Sequence, residues 1–328
     1  MYIGQGGKNC LAKMEQLVWL SMPKKLRLRA ANIVIARPVL RVRNSWMQKK
    51  ILQVNGKAAA IITAAFCVEQ KGDSGMEDKK IAIITGASSG LGAEYARLLD
   101  KEGLAEIWLI ARRKDRLETL AGTLETKCRC LPMDLTDEEA LHVLDTEVAA
   151  SKVTVAYLVN AAGLGCLGLS RECPGEKLLQ MVKLNDMAAL ALTEICIPHM
   201  ERGSIILQIA SCAAFQPIAN LAVYAASKAF LLSYSRALSV ELQDSGIKVT
   251  AVCPFWIRDT EFTEKALETD RHHAFREMPG ATNVKHVAKV SLREAKSGKV
   301  VCTPDPVSTV HRIVASILPH WLLARICK

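Results

Sequence analysis

Tyr224 and Lys228 stand four residues apart in Tyr224-Ala225-Ala226-Ser227-Lys228, and Ser211 lies thirteen residues upstream. On a helix that spacing puts the phenol and the ammonium on one face. A phenol with an ordinary pKa of about 10 is a poor proton donor or acceptor near neutrality until a nearby cation stabilises the phenolate. Lys228 supplies such a charge, and the Ser211 hydroxyl is suited to hydrogen-bond a substrate oxygen. The chemistry these types support is proton exchange at a substrate oxygen. A Tyr/Lys pair at this spacing also arises by chance on many helices, so the elements around it must decide.

Those elements read as alternating buried strands and amphipathic helices. Ile81–Ile84 is a short continuous apolar run, the pattern of a strand covered on both faces in a parallel sheet. It enters Thr85-Gly86-Ala87-Ser88-Ser89-Gly90-Leu91-Gly92 and then a helical stretch, residues 93–101. Strand, glycine turn and helix start form a phosphate site: glycine lets the backbone approach, and the helix end offers free N–H groups and a positive dipole. Further strands are expected at 107–111, 128–133, 153–159, 204–210, 248–253 and 299–303. The fold class expected is α/β: one Rossmann-type doubly wound parallel sheet of about seven strands with helices on both faces.

The second strand ends at Arg112-Arg113-Lys114. In dinucleotide folds this point faces the adenosine ribose, where an acid binds the 2′-hydroxyl of NAD and an arginine takes the 2′-phosphate of NADP. With two arginines and no acid, the residues predict NADP(H) in preference to NAD(H). One such Arg alone is commonly just a solvated helix start. Asp134, after the third strand, is suited to cap the next helix or to bond the adenine amino group. The fourth strand ends in Asn160-Ala161-Ala162-Gly163, small residues past which a ligand can lie close. Asn185 sits in an apolar helical stretch, residues 178–192, where a lone amide is usually structural. Ser211 follows the fifth strand at its C-terminal end, the edge where open parallel sheets bind ligands.

Taken together, TGASSGLG (85–92), NAAG (160–163), Asn185, Ser211 and YAASK (224–228) resemble the short-chain dehydrogenase/reductase family over residues 78–305. The resemblance implies hydride transfer between a nicotinamide and a carbonyl or alcohol carbon. It implies catalytic roles for Asn185, Ser211, Tyr224 and Lys228: Tyr224 as proton donor or acceptor, and Lys228 on the nicotinamide ribose, lowering the tyrosine pKa. Ser211 would orient the carbonyl, and Asn185 would hold a water in a proton relay from Lys228. The cofactor set so implied is Gly86, Ser88, Ser89, Gly90, Leu91, Gly92, Arg112, Arg113, Asp134, Asn160, Ala161, Gly163, Tyr224, Lys228, Pro254 and Thr260. A homodimer or homotetramer is the family's usual assembly. One position departs from the pattern: the usual Pro-Gly after the sixth strand is Pro254-Phe255, which puts the backbone approach to the nicotinamide in question. Phe255 and Trp256 either line the mouth or pack the lid against the sheet.

The substrate is less legible. Leu164, Cys166, Cys212, Ala213, Ala214 and Phe215 suggest an apolar pocket without an anion clamp, hence a hydrophobic ketone or secondary alcohol such as a steroid-like or fatty compound. A 3-oxoacyl thioester is the rival substrate. The variable segment 257–283 holds Phe262, His272, His273 and Phe275; adjacent histidines diverge on a helix, so no metal site is expected.

The whole chain has 328 residues, half of them apolar, and a formal net charge of +10. All of that excess lies in residues 1–75, which hold 13 Lys/Arg against Glu15, Glu69 and Asp73; the rest is balanced at 30 against 30. A balanced remainder speaks against a nucleic-acid binder. Residues 1–75 read as a basic arm, an organelle transit peptide, or upstream sequence not translated in the native protein. The third is favoured: Lys71-Gly72-Asp73 can be encoded by a purine-rich run resembling a ribosome-binding site, just before Met76. The domain expected is 76–306, followed by a tail, 307–328, with an apolar helical stripe broken near Pro319. Eleven unpatterned cysteines and no apolar run of membrane-spanning length point to a reduced, cytoplasmic protein. Two function classes remain, an NADP(H)-dependent oxidoreductase and a non-catalytic nucleotide sensor or adaptor. A sensor would be expected to lack the tyrosine or the lysine, so the enzyme is favoured.

Overall fold

A computed structural model of the chain describes residues 79–258, 260–270 and 279–326. All of these belong to one compact unit, Glu77–Lys328. The readings for residues 1–75, the Met76 start, and His272, His273 and Phe275 lie outside the described residues.

Seven strands form one parallel sheet: β1 (Lys80–Thr85), β2 (Glu106–Ala111), β3 (Cys128–Pro132), β4 (Thr154–Asn160), β5 (Ile205–Ile209), β6 (Lys248–Val252) and β7 (Val301–Cys302). Their spatial order is β3-β2-β1-β4-β5-β6-β7. This is the doubly wound α/β arrangement expected, with the order reversing between β1 and β4. The register sets Ile84 between Leu109 and Val159, and Val159 beside Leu207.

Strand side chains alternate between the two faces. On one face Ala82, Ile84, Leu109 and Leu207 pack against Tyr95 and Leu99 of α1 (Gly90–Leu99) and Val287 and Leu292 of α8 (Val284–Lys296). On the other, Ile81, Ile83, Trp108 and Ile206 meet Leu144 of α3 (Glu138–Ser151), Leu192 of α5 (Ala189–Cys196) and Leu238 of α6 (Ala222–Glu241). Two covered faces explain the unbroken apolar strand runs. The remaining helices are α2 (Lys114–Ala121), α4 (Gly175–Val182), α7 (Glu261–Leu267), α9 (Pro306–Ile317) and α10 (His320–Ile326).

Three local features differ from the expectation. Asp137, not Asp134, caps α3, its carboxylate accepting from Glu139 N at 3.1 Å. The helix begins at residue 138, so Asp134 lies too far upstream; it closes its own turn by accepting from Thr136 N and Oγ1 at 2.9 and 2.8 Å. The stretch around Asn185 is not one helix, because a π-helical turn, Lys183–Ala188, separates α4 from α5. The last strand has only two residues, since only Val301 and Cys302 find partners on β6.

The tail folds back on this unit. Asp305 and Ser308 form a reciprocal cap at the start of α9, with Pro306 at its first position. Ala315 and Leu323 are buried, whereas Val310, Ile313, Ile317 and Trp321 face outward. No described helix is long and apolar enough to cross a membrane.

Candidate active site

The C-terminal ends of β1, β4 and β5 border one cavity of about 710 Å³. Its near wall is the glycine turn. Gly86 has φ +66°, and a Cβ there would stand 2.8 Å from Ala161 O and Ala162 N, so a side chain is excluded by the neighbouring strand end. A Cβ on Gly92 would lie 2.4 Å from Gly86 O; this glycine serves close packing of α1 against the turn and does not line the cavity. Thr85, not singled out in the sequence, ties the two strand ends together: its Oγ1 accepts from Ala161 N and Ala162 N, both at 3.0 Å. Any hydroxyl or short polar residue closing a strand is a weak signal, and its partners lie far away in sequence.

The cavity is lined at one end by Ser88, Ser89, Gly90, Leu91, Arg112, Arg113 and Asp134, and it continues past Ala161 and Gly163 to Ser211, Tyr224, Lys228, Pro254 and Thr260. The residues fit a dinucleotide. A glycine turn opens onto the start of α1, where Ser89 makes no side-chain cap, so the first N–H groups of the helix are not covered by its own side chain. A Cβ on Gly90 would meet nothing nearer than Thr260 Cγ2 at 4.0 Å, which leaves space between the turn and the far wall. Asn160 is placed elsewhere than expected. It is buried beneath the cavity, donating to Thr193 Oγ1 and Gln208 Oε1, both at 3.1 Å, so it braces the strand end from the opposite side of the sheet.

Arg113 is already engaged. Its guanidinium grips both oxygens of Glu261 at 2.5 and 2.7 Å and donates to Ser88 Oγ at 3.0 Å. Arg116 and Lys265 also reach Glu261, at 3.1 and 3.0 Å. The Arg113 guanidinium holds the Glu261 carboxyl down to about 2. Arg112 is exposed and stands 4.0 Å from Asp134.

At the other end, Ser211 caps a short turn and its Oγ accepts from Ala213 N at 3.2 Å. A hydroxyl–hydroxyl hydrogen bond joins it to Tyr224. Tyr224 and Lys228 both lie in the first two turns of α6, on the face that the four-residue spacing predicts. The lysine is buried, and its Nζ donates to Ile209 O at 2.8 Å, at the end of β5. Burial pushes the Tyr224 phenol above its ordinary value, opposed by the Ser211 hydrogen bond, so the group rests as a protonated acid. Burial also lowers Lys228, to about 8, while the Asp186 carboxylate opposes the change. Asp186 itself is raised to about 6 by burial.

Asn185 is brought to the site by the π-helical turn, but its side chain is spent within the protein. Its amide donates to Leu164 O and Ser227 Oγ at 3.0 and 3.1 Å, and Leu164 N donates to its Oδ1 at 2.8 Å. With both N–H donors used, the amide fastens the loop after β4 to α6.

The expected apolar pocket is partly redrawn. Leu164, Cys212 and Ala213 line the cavity, but Cys166, Ala214 and Phe215 turn into the interior, where Phe215 packs edge-on against His311 at 6.2 Å between ring centres. Leu167, Ile218, Leu221 and Phe262 line it instead, and Lys177 stands at its edge, so the lining is not free of cations. Pro254-Phe255 accommodates the missing glycine without strain. Phe255 is not among the positive-φ residues, and its N–H donates to Asp305 at 3.1 Å. Phe255 and Trp256 both line the cavity and pack against hydrophobic neighbours, so the two alternatives for them hold together. No described group of three or more His, Cys, Asp or Glu is placed to hold a metal.

Residues 80–271 match the family model described as short chain dehydrogenase. A ketoacyl reductase of Nostoc, HetN, is 28% identical over 236 residues, 70% of this chain and 80% of that protein. A short-chain dehydrogenase from Sphingobium yanoikuyae, solved in complex with NADPH, aligns with a TM-score of 0.62 at 27% identity, covering 73% of this chain and 96% of that one. A bulky-bulky ketone specific alcohol dehydrogenase from Comamonas testosteroni aligns with a TM-score of 0.59 at 26% identity, covering 73% and 94%. The chain belongs to the short-chain dehydrogenase family and is an oxidoreductase that works between an alcohol and a carbonyl.

Proposed function

We propose that this nicotinamide-dependent oxidoreductase works with NADP(H) on a bulky, hydrophobic ketone or the matching secondary alcohol. The observation that carries the reading is the cavity itself. Its full volume of about 710 Å³ spans both the dinucleotide end and the catalytic end, where Leu164, Leu167, Ile218, Leu221 and Phe262 accompany Ser211 and Tyr224 in the lining. An apolar lining of this kind buries a hydrocarbon body beside the cofactor while two hydroxyls fix one oxygen. The Comamonas enzyme, specific for ketones bulky on both sides, supports the same substrate class.

When bound, the nicotinamide supplies or takes the hydride. The chain's own residues manage the oxygen and its proton. The Ser211 hydroxyl orients the carbonyl, and Tyr224, held protonated by burial, gives its phenolic proton to the oxygen in reduction. In oxidation the same atom receives the proton, a state that needs a cation nearby; Lys228, on the next turn, is that cation. Asn185 positions the loop of Gly163 and Leu164 against α6. Ser88, Arg112 and Arg113 are the groups for a 2′-phosphate, and the Sphingobium enzyme bound to NADPH supports that choice.

A 3-oxoacyl thioester is the second reading. Lys177 at the cavity edge is placed to meet an anionic carrier arm, and HetN is named a ketoacyl reductase. The test is NADPH oxidation by the full chain with a panel of diaryl and steroid ketones, long-chain aliphatic ketones and a 3-oxoacyl thioester, beside Tyr224→Phe. Turnover of the bulky ketones, lost in the variant, is expected. Turnover of the thioester alone would replace the substrate reading with the second one. Binding of NADPH without turnover of any carbonyl would leave a nucleotide sensor.

A further inference from the structure

Glu261 is an anion in an unusual place. It is the first residue of α7, yet its carboxylate lies at the end of β2, on the arginine that the NADP(H) reading assigns to the cofactor phosphate. Arg113 holds it with a two-pronged grip and shares one of those nitrogens with Ser88 Oγ at 3.0 Å. Arg113 and Glu261 are both mostly screened from solvent, at 33% and 22% side-chain exposure. Three cations, Arg113, Arg116 and Lys265, converge on this single carboxylate. The cluster therefore carries a surplus of two positive charges, which suits a phosphate dianion better than it suits one carboxylate.

Glu261 is also tied to the substrate end. Thr260 caps α7 by accepting from Thr263 N at 3.1 Å. Phe262, the residue after Glu261, places its ring 6.0 Å from the Tyr224 ring, and its edge would lie 2.9 Å from a Cβ built on Gly165. The first turn of α7 thus touches the arginine cluster on one side and the proposed proton donor on the other. Arg113, Glu261 and Phe262 all line the one cavity.

We propose that Glu261 is an internal anion that competes with the cofactor 2′-phosphate for Arg113, so that the phosphate, on arriving, releases the first turn of α7 beside the substrate. The inference rests on the NADP(H) reading. Glu261 stays ionised throughout the neutral range, so the competition is between charges and not between protonation states. A carboxylate and a phosphate cannot share one guanidinium fork without repulsion. The tie therefore acts as a gate that only a phosphorylated ribose opens; a nucleotide without the 2′-phosphate leaves it closed.

The test uses the full chain and two fragments without a nicotinamide, 2′,5′-ADP and 5′-AMP, with affinities read by titration calorimetry. Glu261→Gln keeps the shape and removes the competing charge. It is expected to tighten 2′,5′-ADP on the order of tenfold and to leave 5′-AMP unchanged. Hydrogen exchange supplies the second readout. In the wild type, amides of Thr263–Leu267 should exchange faster on adding 2′,5′-ADP and not on adding 5′-AMP; in Glu261→Gln they should be fast already. If Glu261→Gln weakens both fragments, the residue is a clamp over bound nucleotide and the competition is overturned. If wild type prefers 2′,5′-ADP, loses the preference in Arg113→Ala and ignores Glu261→Gln, the competition fails while the NADP(H) reading stands. If wild type binds the two fragments alike, both fall together.

Discussion

The Lys228 ammonium nitrogen lies 5.7 Å from the centre of the Tyr224 ring, and it points at the carbonyl of Ile209 instead of the phenol. Its hydrogen bond anchors α6 to the end of β5, and the proposed stabilisation of a Tyr224 phenolate therefore has to act across space. Tyr224 is thereby held by α6 below, by Ser211 in front and by Phe262 beside it.

Lys228 sets an alkaline limit. Burial lowers it to about 8, so its charge is present below that pH and is lost above it. Turnover is expected to fall as pH rises past about 8. Asp186 is buried near it and opposes the lowering. In Asp186→Asn that opposition is gone, and the alkaline limb of kcat/KM should move to lower pH. A limb that stays put or moves up would contradict the pairing. Stability has the opposite sign: the unfolded chain keeps this lysine protonated to about 10.5, so between about 8 and 10.5 the contribution of Lys228 grows as pH rises.

Asn185 bonds to the loop of Leu164 and to Ser227 of α6, and its proposed role is to position that loop. Asn185→Ala removes three hydrogen bonds that join Leu164 to α6. KM for the carbonyl substrate should rise and kcat should fall, while 2′,5′-ADP affinity stays near the wild-type value. Loss of nucleotide affinity in step with turnover would mean that the variant has collapsed the whole strand edge.

The glycine turn gives a steric prediction. A Cβ at Gly92 meets backbone, Gly86 O at 2.4 Å, so the strain cannot be relieved by a flexible side chain. Gly92→Ala should destabilise the fold by about 1–3 kcal/mol and weaken 2′,5′-ADP. Thermal unfolding and titration check both; an unchanged Tm with unchanged affinity would contradict the packing.

Away from the site, the wholly buried Tyr95 hydroxyl lies 2.5 Å from Ser291 Oγ and joins α1 to α8. Ser291 keeps a second partner, Val287 O at 2.6 Å, so Tyr95→Phe leaves no polar atom stranded. The cost should be about 1 kcal/mol, read as a drop of a few degrees in Tm with catalysis intact. No change in Tm would contradict it.

The parts of the molecule legible in its sequence are those set by local pattern. Ile81–Ile84 read as a doubly covered strand because both of its faces are buried. Tyr224 and Lys228 share a face because helical spacing alone decides it. Asn160, at the end of β4, turns away from the cavity because neighbouring strand residues face opposite sides and register decides which of them meets it, whereas Phe215 turns inward as the last residue of the short turn Cys212–Phe215, against His311. The π-helical turn has no composition signal, yet it presents Asn185 to Leu164. The Arg113–Glu261 contact joins residues 148 apart in sequence, so neither carries any mark of the other.

In the proposed reaction hydride reaches a bulky ketone while Tyr224 delivers the proton. NADPH deuterated at the transferring C4 position, incubated with the full chain and a diaryl ketone, tests both parts at once. The expected product is an alcohol carrying deuterium on its carbinol carbon, formed at least about a hundredfold more slowly by Tyr224→Phe, in line with the usual worth of a positioned acid. Alcohol without the label, or labelled alcohol formed undiminished by the variant, would contradict it.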